Sequence, residues 1–312
     1  MAGPSSSKAS RARSEGVLIV DDSPIDRRLA GRLLEKDGFA PVYAENGREA
    51  LGHIARARPD IVVTDLHMPE LNGLELVEAI RKRYPSLPVV LMTAHGSEDI
   101  AVLALKTGAA SFVPKRRLAV DLARTIDAIL GLSKGAAERP RSESQVPLDA
   151  REATFVLEND VMLLPEIVQR LEAELSTLAF CDETETLQIG VALREAIVNA
   201  IYHGNLDVSS DLLDAGGSAF LDLVEARRTE APYRDRTVEL VVRYDRDAVT
   251  YKITDQGGGF DVRSLPDPTD PANLERVHGR GVMLMRMFMD RVTHNEKGNV
   301  VTMQKRRSPR TG

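Results

Sequence analysis

Residues 61–73 read Ile-Val-Val-Thr-Asp-Leu-His-Met-Pro-Glu-Leu-Asn-Gly, and the fold of the first half of the chain follows from this stretch. Ile61, Val62 and Val63 are apolar on both faces of an extended segment, as a central strand covered on both sides must be. Asp65 then stands where that strand ends. Working outward, short apolar runs at 17–20, 42–44, 89–92 and 111–113 flank this segment. Amphipathic helical patterns fill the intervals near 25–37, 47–57, 73–83, 98–107 and 118–130. Strand–helix alternation of this kind predicts an α/β, doubly wound, five-stranded parallel sheet.

In such a sheet, function gathers outside the carboxyl ends of the strands. Reading off those ends gives Asp21 and Asp22 after the first run, Asp65 after the third, Thr93 after the fourth and Lys115 after the fifth. Three carboxylates on one rim repel each other unless a cation lies between them, and oxygen-only donors select a hard ion such as Mg²⁺. A lysine and a hydroxyl beside that ion suit an added phosphoryl group. The motifs Asp21-Asp22-Ser23, TDLHMPELNG at 64–73, LMTAHG at 91–96 and FVPK at 112–115 together resemble the response-regulator receiver domain, a flavodoxin-like fold, over residues 15–132. The resemblance implies that Asp65 accepts phosphate and that Asp22 and Asp65 ligate Mg²⁺. It further implies that Asp21 helps through water and that the backbone carbonyl of His67 completes the protein ligands. Thr93 and Phe112 would be the switch residues, with Lys115 at the phosphate. Arg116 follows Lys115 where the family often has proline.

After residue 132 the periodicity stops. Residues 133–149 are rich in Pro, Gly, Ser and charge and read as a linker. A second pattern spans 150–306: a strand near 153–158, helices near 161–178 and 183–203, strands at 236–244 and 248–255, a helix at 281–290, and strands near 291–294 and 299–305. Helices with a mostly antiparallel sheet predict an α+β two-layer sandwich. Residues 1–14 and 307–312 read as polar, basic tails.

On the helix at 183–203, Glu195, Asn199 and His203 recur every four residues and share a face, beside the small residues Ala192, Ala196 and Ala200. A solvated polar stripe is the ordinary reading of that pattern. The strand at 249–255 weighs against it. Alternation places Asp255 on the same side as Val249, Tyr251 and Ile253, where an unpaired carboxylate is expensive and a ligand donor would satisfy it. Gly257, Gly258 and Gly259 follow and let the backbone pass close to a flat ring or a phosphate. Gly279, Arg280 and Gly281 open the next helix, whose first amides suit phosphate oxygens.

The ordered set EAIVNAIYHGN, DQGGGF and HGRGVMLMR resembles the GHKL-type ATPase domain, in the branch of anti-sigma-factor serine/threonine kinases, over roughly 150–306. That resemblance implies ATP as the nucleotide, Asn199 on Mg²⁺, Asp255 on the adenine amine, and Gly257, Gly259, Gly279 and Gly281 around the nucleotide. Glu195 takes the general-base position, and Arg280, between two glycines, is expected near the phosphates. The proline-rich stretch 265–271 reads either as a lid over the nucleotide or as a plain surface loop.

The function expected is thus a response regulator whose aspartate phosphorylation controls a C-terminal anti-sigma-type protein kinase. A histidine-kinase-like role and a non-catalytic ATP-binding adaptor are the alternatives. No histidine or helical pattern stands between the two regions to serve as a phosphoacceptor hairpin. Expected partners are an upstream histidine kinase or phosphotransfer protein and a protein substrate such as an anti-sigma-factor antagonist. The resemblance leaves room for a sigma factor as competing ligand and for a homodimer. A formal charge of −6 over 312 residues argues against nucleic acid and anionic membranes. The absence of an apolar run near the ~20 residues that span a bilayer, with one cysteine, Cys181, points to the cytoplasm.

Overall fold

The computed structural model describes residues 15–94, 98–133, 151–209, 212, 218–260, 262 and 280–308. The first lobe is a parallel sheet of β1 (Gly16–Val20), β2 (Ala40–Ala44), β3 (Ile61–Asp65), β4 (Val89–Thr93) and β5 (Ser111–Pro114), in the order β2-β1-β3-β4-β5. Helices α1 (Pro24–Lys36), α2 (Gly47–Arg56), α3 (Gly73–Arg83), α4 (Glu98–Thr107) and α5 (Leu118–Ser133) connect and cover it. Every residue of β3 and β4 is buried, as their unbroken apolar runs require. Val42 and Tyr43 on edge strand β2 stay exposed. Side-chain oxygens at helix starts fix where each connection turns: Ser23 accepts from the Asp26 amide, Asn46 from Glu49, and Asn72 forms a capping box with Glu75. A single 3₁₀ turn, Lys115–Arg117, carries the chain past Arg116 into α5.

The second lobe is an antiparallel sheet of β6 (Arg151–Leu157), β7 (Val238–Tyr244), β8 (Ala248–Thr254), β9 (Arg291–His294) and β10 (Val300–Arg306), ordered β6-β7-β8-β10-β9. Along β7, Val238, Leu240, Val242 and Tyr244 are buried while Glu239 and Arg243 are exposed, so one face is covered and the other is not. Helices α6 (Leu164–Thr177), α7 (Glu183–Asn199), α8 (Ser218–Thr229) and α9 (Arg280–Phe288) complete the two layers. Asp182 and Glu185 form a capping box that starts α7.

Three features differ from the expectation. The helix expected to run regularly to 203 widens at Ala200–Asn205 into π geometry. α8 lies between the helix expected to end at 203 and the strand expected from 236, where no element was expected. Arg307 and Ser308, expected to begin a tail, are tied down: the Arg307 guanidinium stacks on Phe180 and donates to Leu178 O, and Ser308 Oγ lies 2.7 Å from Glu185 Oε2. The expected tail 1–14, most of the linker 133–149, the stretch 265–271 and Gly279 lie outside the described residues. Among the described residues no helix is long and apolar enough to cross a membrane.

The lobes meet through hydrogen bonds into the last turn of α4 and its exit. Gln188 Nε2 donates to Leu105 O at 2.9 Å and to Ala109 O at 3.2 Å. Thr184 Oγ1 donates to Pro85 O at 3.0 Å, and Arg81 bridges Thr107 O and Asp182 Oδ2. Gly108, at φ +131°, lies between Arg81 and Thr184, where a side chain would crowd both. Gln169 Nε2 reaches Gly131 O on α5 at 2.5 Å. Helix α4 also touches α9, and α5 touches α6 and α7.

Candidate functional sites

The strand ends of the first lobe bring Asp21, Asp22 and Asp65 together, with carboxylate oxygens within 4.8 Å of one another. Asp21 and Asp65 are buried and Asp22 is exposed. Each buried acid is aimed by a backbone amide: Ser23 N donates to Asp21 Oδ1 at 2.9 Å, and His67 N to Asp65 Oδ2 at 3.1 Å. Lys115 Nζ lies 2.9 Å from each of Asp21, Asp26 and Asp65. Burial opposes its charge, yet bonds to Asp26, Asp21 and Asp65 hold its pKa above the ordinary lysine value. Burial pushes the Asp21 carboxyl upward, and the Lys115 bond draws it back down. Thr93 and Phe112 are buried on β4 and β5, where Leu91 pairs with Phe112 and Thr93 with Pro114.

This all-oxygen set carries more negative charge than one lysine balances, which fits a small hard divalent cation. Asp26 escaped the reading of the sequence. The available signal was its place three residues after the Ser23 cap, in the first turn of a helix that leaves a functional strand end.

In the second lobe, Glu195 and Asn199 stand one turn apart near the end of α7, facing the start of α9. A Cβ at Gly281 would come 2.7 Å from Glu195 Oε2 and 3.5 Å from Asn199 Nδ2, so the start of α9 lies directly against both side chains. Arg194 pairs with Glu195 at 3.2 Å. His203 instead places its Nδ1 2.6 Å from Val208 O and its ring against Phe220 of α8, a structural use. Arg280 begins α9, but its side chain lies outside the described residues.

Asp255 follows β8 and is 8 % exposed. Burial raises its pKa, while the Gly257 amide, donating to Oδ1 at 2.8 Å, lowers it. Side chains at Gly204 or Gly257 would collide with Asp255 or with the Gly204 backbone. The wide turn at 200–205 and the loop after β8 therefore close around this carboxylate. Gly259, at φ +80°, passes against Lys297 O, where a side chain would not fit, and Lys297 Nζ donates to Gly257 O at 3.1 Å. A buried network fixes the whole corner. Asn205 Nδ2 donates to Asn159 Oδ1, Gln256 N donates to Asn205 Oδ1, and Asn159 donates to Tyr233 O and Arg236 O. Asp255 thus offers a buried carboxylate acceptor after β8, while Glu195 and Asn199 lie against Gly281 at the start of α9. Asn159 and Asn205 escaped the sequence reading because their pairing spans 46 residues. Cys181 donates to or accepts from Thr186 Oγ1, and burial pushes its thiol up to about 11, so it has no nucleophilic character at neutral pH.

Residues 17–127 match the response regulator receiver domain, and residues 157–305 match the histidine kinase-like ATPase domain. The chain is 37 % identical over 154 residues to the transcriptional regulatory protein GlrR of Escherichia coli, covering 47 % of this chain and 35 % of that protein. It is 40 % identical over 99 residues to the DNA-binding transcriptional regulator NtrC of Salmonella typhimurium, covering 32 % and 21 %. It is 46 % identical over 103 residues to a protein-glutamate methylesterase/protein-glutamine glutaminase of Hahella chejuensis, covering 32 % and 29 %. The chain thus spans about a third or less of the length of these relatives. A receiver domain structure from Clostridium thermocellum shares 32 % identity over 38 % of this chain and 97 % of its own, with a TM-score of 0.37. The chain is a receiver domain joined to a histidine kinase-like ATPase domain.

Proposed function

We propose that this chain is a response regulator in which phosphorylation of Asp65 controls an ATP-dependent serine/threonine protein kinase of the anti-sigma type. The observation that carries the kinase reading is the meeting of Glu195 and Asn199 with Gly281 at one end of α7, with buried Asp255 at the other end of the same corner. A general base and a metal-ligating amide on one helix, with an adenine acceptor after a strand beside its end, are what phosphoryl transfer needs from a protein.

In the receiver, Asp22, Asp65 and the His67 carbonyl would hold Mg²⁺, with Asp21 acting through water. An Asp65 oxygen attacks the phosphoryl group brought by a histidine kinase or phosphotransfer protein, and the donor nitrogen leaves. Lys115 pairs with the new phosphate, and Thr93 and Phe112 respond to it. In the second domain, Asp255 would bind the adenine amine and Asn199 the Mg²⁺, with Gly257, Gly259, Gly279 and Gly281 around the nucleotide and Arg280 near its phosphates. ATP supplies the γ-phosphoryl group. Glu195 accepts the proton of a Ser or Thr hydroxyl as that oxygen bonds to phosphorus and the bond to ADP breaks. The acceptor would be an anti-sigma-factor antagonist or a similar regulator.

The test is incubation of the full chain with Mg²⁺ and ATP labelled at the γ-phosphate, together with candidate antagonist proteins. Base-labile, acid-stable label on the acceptor that disappears with Glu195→Gln is expected. Acid-labile label on a histidine would sink the serine/threonine assignment.

A further inference from the structure

We propose that Arg236 sets the preference for an adenine nucleotide without touching it: it grips the helix end that closes on Asp255 and lends that carboxylate a positive neighbour. The inference rests on the reading of Asp255 as the adenine acceptor and adds the residue that positions it.

The exit from α7 leaves backbone carbonyls that need donors. Residues Ala200–Asn205 widen into π geometry, and Asp207 then turns to φ +52°, so the chain leaves the helix axis abruptly. Two arginines supply the donors. Arg236 Nη1 donates to Asn205 O at 2.8 Å, and Arg227 Nη1 of α8 donates to Leu206 O at 2.6 Å and to Asp207 O. Both guanidiniums lie on the ring of Tyr233, 5.0 and 4.6 Å from its centre, which holds them in place.

The two arginines grip residues with different neighbours. Asn205 is built into the corner around Asp255. Its Oδ1 accepts from Gln256 N, the amide next to Asp255, at 2.8 Å, and its Nδ2 donates to Asn159 Oδ1 at 2.8 Å. Asn159 in turn donates to the carbonyls of Tyr233 and Arg236. The residue before Asn205 is Gly204, where a Cβ would come 2.4 Å from Asp255 Cγ. Holding Asn205 therefore holds both the backbone beside Asp255 and the loop that follows it. Arg227 holds Leu206 and Asp207, on the side of Asn205 away from Gly204.

Charge acts in the same direction. Burial pushes the Asp255 carboxyl upward, while the Gly257 amide and the charges of Lys297 and Arg236 draw it down. An ionised carboxylate offers only acceptors to an amine, whereas a carboxylic acid adds a donor of its own. GTP carries an oxo group where ATP carries the amine. What Arg236 does for Asp255 thus favours ATP and gives GTP nothing.

The experiment titrates the full chain, in Mg²⁺, with ATP and with GTP by calorimetry, beside thermal melting of each variant. Arg236→Gln should weaken ATP binding by roughly 10–100-fold and leave GTP binding within about two-fold, so the preference for ATP falls by a similar factor. Arg236→Lys, which keeps the charge but not the planar fork, should fall between that variant and wild type. Tyr233→Leu, which removes the ring beneath the guanidinium and leaves Arg236 itself intact, should shift the preference the same way, and it serves if Arg236→Gln does not fold. Arg227→Gln should lower the melting temperature and keep the wild-type preference. An unchanged preference in both Arg236→Gln and Tyr233→Leu overturns the proposal. So does equal weakening of ATP and GTP, which would make Arg236 a support of the fold alone, or an equal loss of preference in Arg227→Gln. If wild type binds neither nucleotide, the reading of Asp255 fails and the proposal with it.

Discussion

Replacing Asp26 with asparagine should stabilise phosphorylated receiver, because Asp26 competes with the phosphoryl group for Lys115. In the structure Lys115 Nζ divides itself among three carboxylates at 2.9 Å, and Asp26 is the only one of them on a helix rather than at a strand end. Unit charges at that distance attract by roughly 6 kcal/mol at an effective dielectric near 20, and by about 1.4 kcal/mol in water. The Asp26 side chain is 36 % exposed, so solvent screening keeps its net hold near the lower figure, about 1–2 kcal/mol. Released from Asp26, Lys115 can turn fully to phosphate, and steady-state phosphorylation by acetyl phosphate should rise roughly 5–30-fold at subsaturating donor. The chain has no tryptophan to report the change, so intact mass measured at intervals is the suitable assay. Asp26→Glu, which retains the charge, should behave nearly as wild type. Equal occupancy and equal lifetime in wild type and Asp26→Asn would show that the ion pair has no influence on the acyl phosphate.

Other consequences can be checked independently. Asp255→Asn should weaken ATP binding and its preference over GTP, because an amide presents one acceptor oxygen and adds donors; unchanged selectivity by calorimetry would place the base elsewhere. Gly257→Ala sets a Cβ against the Gly204 carbonyl, and overpacking of about 1–3 kcal/mol should lower the melting temperature of this domain by roughly 2–12 °C in calorimetry. Glu172, buried on α6 against Gly190, has a carboxyl pushed well above its ordinary pKa by burial. A raised folded-state pKa gives stability that is complete below the unfolded value of 4.5 and is lost as pH climbs toward the folded value. Wild type should therefore lose about 1.4 kcal/mol per pH unit across that window, and Glu172→Gln should not; parallel thermal curves for the two proteins from pH 5 to 8 would contradict this.

Both sheets were legible because their patterns are local. The unbroken apolar run before Asp65 and the alternation before Asp255 each depend on a handful of neighbours. Sites built from strand ends inherit that clarity, which is why Asp21, Asp22, Asp65, Thr93 and Lys115 could be read together. What the sequence hid is contact between distant residues. Gln188 looks like any polar position on an amphipathic helix, yet it bonds to backbone carbonyls 83 and 79 residues away, and a carbonyl has no letter in the sequence. Asn159 and Asn205 are ordinary loop and helix-end residues until the fold pairs them. Helix α8 was missed for a different reason. Its buried residues Phe220 and Val224 are few, and exposed Leu221 breaks the stripe that would have announced it.

The place of β10 in its sheet has a consequence for how a new molecule comes into being. Strand β10 lies between β8 and β9, so the sheet of the second domain has a gap at its interior until residues 300–306 have been made. The first sheet is finished by Pro114, nearly two hundred residues earlier in synthesis. Domains fold as units and N-terminal ones first as the chain emerges. Each second domain thus completes its sheet only after every strand of the first sheet has been made.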